Sequence, residues 1–153
     1  MDELKRIADL LDRAGHGDAW HGPSVDATLV DVTAAQAAAR PIADGHSIWE
    51  LVLHIAVWER VVMRRFGGEE LEPTSAEDWP PVTKTTDDGW RRALADLRKA
   101  RSELRAALLA FDSRRLGDTV QGKNYSFYVM AHGIVQHDLY HTGQIALLKK
   151  ARP

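Results

Sequence analysis

The segment HGIVQHDLYHTGQIALLKK, residues 132–150, decides how the rest of the chain is read. Ile134, Ile145 and Leu148, with Met130 just before them, recur at helical spacing and mark a face that packs inward. His137 and His141 lie one turn apart on that same face. A buried imidazole without a partner costs on the order of 1–3 kcal/mol. Two of them stacked on one apolar face therefore ask for a partner elsewhere in the chain. Lys149 and Lys150 suit the negative end of the dipole, so the helix is expected to run from about Tyr125 to Lys150.

The partner is sought in the most apolar stretch, IWELVLHIAVWERVVM, residues 48–63. Ser47 and Glu50 stand at capping-box spacing in front of it, and Gly67 and Gly68 end it. A helix apolar on nearly every side belongs in the middle of its domain. His54 sits within it among Leu51, Val57, Trp58 and Val61. A third long helix is expected from Thr86 or Asp87 to Phe111, where Trp90, Ala93, Leu97, Ala100, Leu104 and Ala107 form a stripe suited to bundle packing. A first helix from about Asp2 to Ala14 carries Leu4, Ile7, Ala8 and Leu11 on one face. Ser24 and Thr33 can each cap a short helix, the second stopped by Pro41. The Pro-rich stretch EPTSAEDWPPVTKTT, residues 72–86, is expected to cross the molecule without regular structure. The fold that follows is all-α: one domain over residues 1–153, a four-helix bundle with a long crossover connection.

Composition narrows the function. The formal net charge is −2, from 20 basic and 22 acidic side chains, which gives no footprint for nucleic acid or an anionic membrane. No stretch reaches the ~18 uncharged apolar residues of a membrane span. The amphipathic start MDELKRIADLLDRAG lacks a signal-peptide core, and the expected location is cytoplasmic. The chain has no cysteine. Any metal must therefore be held by histidine and carboxylate, and any thiol must come from outside.

His54, His137 and His141 would meet in the bundle interior. Two readings are open from spacing alone: core histidines with satisfied hydrogen bonds, or three ligands of a divalent metal built from facing helices. HDLYH also has the H-x-x-x-H form of a zinc-protease helix. However, Asp138 is a methylene shorter than the usual glutamate base, and only residues 142–153 remain to supply a third ligand.

HSIWELVLHIAVWE and the closing H-x-x-x-H-x-G-Q resemble the two signature helices of the DinB-like (DinB/YfiT-like) superfamily of metal-dependent enzymes. WHGPS and DWPPV extend the resemblance over nearly the whole chain. It implies a four-helix bundle in which His54, His137 and His141 bind zinc, nickel or a similar divalent ion. It also implies relatives that are thiol-dependent transferases and isomerases, hydrolases, or not enzymes at all.

Three neutral ligands leave the charge of the ion uncompensated and a position open, as in catalytic rather than structural zinc sites. The expected function is thus a metal-dependent enzyme acting on a small molecule, with metal-activated water or an external low-molecular-weight thiol as nucleophile. The alternative is a non-catalytic metal-binding or stress-related interaction bundle. Glu50, Tyr140 and Gln144 are the further catalytic candidates, each with a plainer role: helix cap, core tyrosine, helix-end amide. His132 falls off the ligand face, and His16, His21 and His46 fall in loops. A homodimer is also expected, with Phe66, Trp79 and Trp90 as candidates for exposed aromatic surface.

Overall fold

The computed structural model describes residues 2–151. Its helices are α1 (Glu3–Gly15), α2 (Val25–Leu29), α3 (Ala34–Ala38), α4 (Ile48–Phe66), α5 (Ser75–Asp78), α6 (Asp87–Ala110) and α7 (Phe127–Lys150), with a 3-10 turn at Ser113–Arg115. There is no strand among the described residues. No helix among them is long and apolar enough to cross a membrane.

Hydroxyl caps set the starts. Ser24, Thr33, Ser47, Thr74, Thr86 and Ser126 each accept a backbone N–H from the first turn of the helix that follows. Thr33 with Gln36, Ser47 with Glu50 and Thr74 with Glu77 complete reciprocal capping boxes. The third of these makes α5, a short helix in the crossover where irregular chain was expected.

α1, α4, α6 and α7 form the bundle. α4 packs against both α6 and α7, and α1 covers the same two helices from the opposite side. Contacts between α4 and α6 advance together along the two helices: Trp49 with Trp90, then Glu59 with Arg101. These helices are therefore parallel, which is why a crossover must return the chain to the starting end. α7 runs the other way, with Phe127 against Phe66 and His137 against His54. The core is built in two blocks. One joins α2, α3 and the first halves of α4 and α6 to Ile145 and Leu148. The other joins α1, the ends of α4 and α6, and the first half of α7.

The aromatic side chains expected on a dimer face belong to the monomer instead. Trp90 and Phe66 are buried, and the Trp90 indole donates to the Val32 carbonyl at 2.8 Å. Trp79 is half-buried against histidine rings. The exposed large apolar side chains are others, among them Trp20, Tyr140 and Leu147.

Candidate metal centre

Antiparallel packing of α4 and α7 brings His54 to His137 and His141. One ring nitrogen from each lies within 4.8 Å of the other two, and the group contains no carboxylate. His54 and His141 are buried and His137 is half-buried. The Nε2 atoms of His54 and His137 are 3.1 Å apart.

Two outer partners fix which nitrogen is bare. The His54 Nδ1–H donates to the Asp78 carbonyl at 2.9 Å, with Asp78 Oδ1 at 3.1 Å. The His141 Nδ1–H donates to Gln144 Oε1 at 2.7 Å. A carbonyl or amide oxygen can only accept, so each Nδ1 carries the proton and each Nε2 keeps its lone pair. His137 Nδ1 is buried with no hydrogen-bond partner and stands 3.5 Å from Asp138 Oδ1. Protonating His137 on the Nδ1 side leaves two Nε2 lone pairs facing each other at 3.1 Å, an arrangement a cation relieves. Two ligands of one tetrahedral ion, each at about 2.0–2.1 Å, stand roughly 3.3 Å apart, close to this spacing. The residues therefore fit a divalent ion, and the group could hold one.

Burial also keeps the rings neutral, the form that ligates. It pushes His137 and His141 down to about 4, in His141 against the hydrogen bond it donates to Gln144, and it lowers His54 against the pull of Asp78. The sign is that of a base depressed by desolvation: these rings charge only once the pH falls well below 6.5. In the metal-free protein the ring signals of His137 and His141 in an NMR titration should hold their neutral positions through pH 6 and move only toward pH 4. Midpoints near 6.5 would mean that the site is open to water.

The crossover supplies what the sequence reading left out. The Thr74–Glu77 box places Asp78 so that its backbone carbonyl meets His54 and its carboxylate accepts the Trp58 indole N–H at 2.7 Å. Trp79 stacks on the His54 ring at 3.9 Å and on His46 at 3.5 Å. TSAE, residues 74–77, carries the same signature as Ser47–Glu50, and that signal could have located α5.

The remaining candidates fall as follows. Glu50 is occupied: one oxygen caps Ser47 at 2.8 Å and the other pairs with Arg40. Gln144 touches His141, whereas the spacing had set it in line with His137. Tyr140 is 65% exposed, not a core tyrosine, with its ring 5.0 Å from that of His141. His132 lies away from the group, 3.5 Å from Glu3 and beside Tyr128, and His16 and His21 are exposed.

Beneath the histidines lies a buried charge cluster that sequence reasoning also missed. Glu59 on α4 accepts from Arg101 Nε on α6 at 3.0 Å. Asp138 on α7 lies close enough to Glu59 to raise its pKa. Both carboxyls are fully buried, and burial pushes both upward, Glu59 further by its acidic neighbour, while Arg101 opposes the rise. With both ionised, Glu59 Oε2 and both Asp138 oxygens would lack a donor. One proton held between them would pair Glu59 Oε2 with one Asp138 oxygen, leaving a single negative charge opposite one guanidinium. Gly15 closes the cluster from α1: a Cβ there would stand 2.5 Å from Arg101 Cδ.

The sequence model of the DinB superfamily matches residues 20–145. No curated protein and no solved structure matches the chain.

Proposed function

The chain belongs to the DinB superfamily, and from that premise we propose that it is a metal-dependent enzyme acting on a small molecule, with His54, His137 and His141 as the ligands of one zinc or nickel ion. The observation that carries this reading is the convergence of three neutral imidazoles without a carboxylate. A divalent ion held by three neutral ligands would supply a Lewis acid with an open position, able to lower the pKa of water or of an external low-molecular-weight thiol.

The protein's own residues prepare the position. Asp78 holds His54 by its Nδ1, and Gln144 holds His141 in the same way. The Trp79 indole covers one face of His54 and keeps water from that ring. Tyr140, beside His141 and open to solvent, would be the residue to donate a hydrogen bond at the mouth of the site. Glu50 acts at one remove, by fixing the start of the helix that carries His54.

Gln144→Ala is expected to weaken zinc binding about 10–100-fold, the usual cost of removing an outer partner of a ligating histidine. Competition against a chromophoric chelator reads this directly, and an unchanged affinity would detach Gln144 from the site.

The reading is tested by offering the zinc- and nickel-loaded protein two panels. One holds small thiols with electrophilic acceptors, and the other holds esters and amides. Turnover in either panel, lost in His141→Ala and on chelation, is the expected result. A protein that binds metal tightly and turns over neither panel would be a non-catalytic metal-binding bundle.

A further inference from the structure

A cavity of about 290 Å³ opens beside the candidate metal centre. Trp58, Val62, Val129, Met130 and Ile134 give it apolar walls, and His137 lies at one end. Arg65 and Tyr125 also line it, and no carboxylate does. Larger clefts of about 630 and 710 Å³ elsewhere on the surface are lined by none of the three histidines.

Arg65 is the unusual member. It is only 3% exposed, yet its hydrogen bonds are incomplete. Nη1 donates to the Tyr125 hydroxyl at 2.9 Å, and Nη2 donates to the Leu71 carbonyl and to Glu72, each at 3.0 Å. Nε is buried and donates to nothing. A guanidinium has five N–H donors, and the three bonds above leave Nε–H and one Nη1–H over. Glu72, its carboxylate partner, is shared with Lys123. Tyr125 accepts from Arg65, so its own hydroxyl proton is free as well. The cavity thus gathers spare donors and a cation within apolar walls, and no carboxylate lines it.

We propose that this cavity is the substrate pocket and that it takes a small molecule with an apolar body and one carboxylate, the carboxylate paired with Arg65 and Tyr125. The spare N–H on Nη1, beside the Tyr125 hydroxyl, offers a monoanion one charge-assisted bond and one neutral bond. Dianionic phosphate is usually met by several cations. The apolar body would lie along Trp58 and Ile134, directing its other end toward His137. The proposal deepens the reading of a small-molecule enzyme and rests on it for the word substrate. The binding itself does not require a metal.

Phenylacetate and its neutral isostere phenylacetamide serve as probes, followed by NMR on the zinc-loaded protein at the Trp58 indole and the Gly133 amide. Phenylacetate is expected to shift both signals and to bind at least tenfold more tightly than the amide. Arg65→Met should remove that preference. Gly133→Leu provides the second variant: Gly133 lines the cavity and nothing lies within 4 Å of a Cβ there, so a side chain enters the cavity at an open point. It should abolish binding while the protein stays folded. Equal binding of the two probes, or no shift with either, overturns the proposal. So does binding that survives Arg65→Met and disappears in His54→Ala, since the carboxylate would then sit on the metal. A protein that binds phenylacetate as described but no zinc would instead remove the metalloenzyme reading and leave the pocket standing.

Discussion

His54→Ala is expected to lower zinc affinity by well over a hundredfold while leaving the fold of the metal-free protein intact. Losing an outer partner already costs about 10–100-fold, and losing one of three ligands costs more. The remaining pair on α7, one turn apart, can offer only two nitrogens. The fold survives because its stability comes from two apolar blocks that draw on all four long helices. Calorimetry gives the readout. A ligand present at 100 times its Kd stabilises a protein by about 2.7 kcal/mol, and zinc at that excess over the parent's Kd should give the variant almost none of it. A variant that binds zinc as tightly as the parent would restore the reading of His54 as an ordinary core histidine held by Asp78.

Arg101→Met should be the most damaging single change to stability, at about 3–5 kcal/mol, the range for breaking a buried ion pair on one side. It strands the Glu59–Asp138 pair with a negative charge and no cation. The deficit should shrink as the pH falls. Without Arg101 the buried carboxyls are raised further above their unfolded values, so the stability they contribute is present at low pH and lost as the pH rises. Urea unfolding of parent and variant at pH 7 and pH 5 measures both effects. A midpoint unchanged at pH 7 would mean that the cluster is not the closed unit its geometry describes.

The bundle and its three histidines were legible in the sequence because helical periodicity reports which side chains share a face. Ile134, Ile145 and Leu148 defined an inward face, and His137 and His141 lay on it. Two kinds of information were not carried by periodicity. The first was what the crossover does. Three prolines and polar composition make residues 72–86 look structureless and mask the capping box at Thr74. The partners of His54 were lost with it: the Asp78 carbonyl and the Trp79 ring. The second was pairing between distant charges. Glu59 and Arg101 each interrupt an apolar stripe, Arg101 between Leu97 and Leu104, and read singly each looks like a solvated residue. Only the parallel course of α4 and α6 brings them together. Asp138 in H-x-x-x-H spacing resembles a protease base, and only the packed structure shows it fully buried next to His137.

The same cluster bears on which bundle this sequence can form. Apolar stripes are permissive: leucine and alanine rows on α4, α6 and α7 would still bury area if one helix slid along another. Three buried ionisable side chains meeting at one point are not permissive. Sliding α6 by a single turn carries Arg101 about 5.4 Å away and strands both a guanidinium and a carboxylate in the core. Every neighbouring register is thereby excluded, including those that would carry His54 past the pair on α7. An all-apolar replacement of Glu59, Arg101 and Asp138 could match the parent in stability and still lose the single alignment on which the three imidazoles depend.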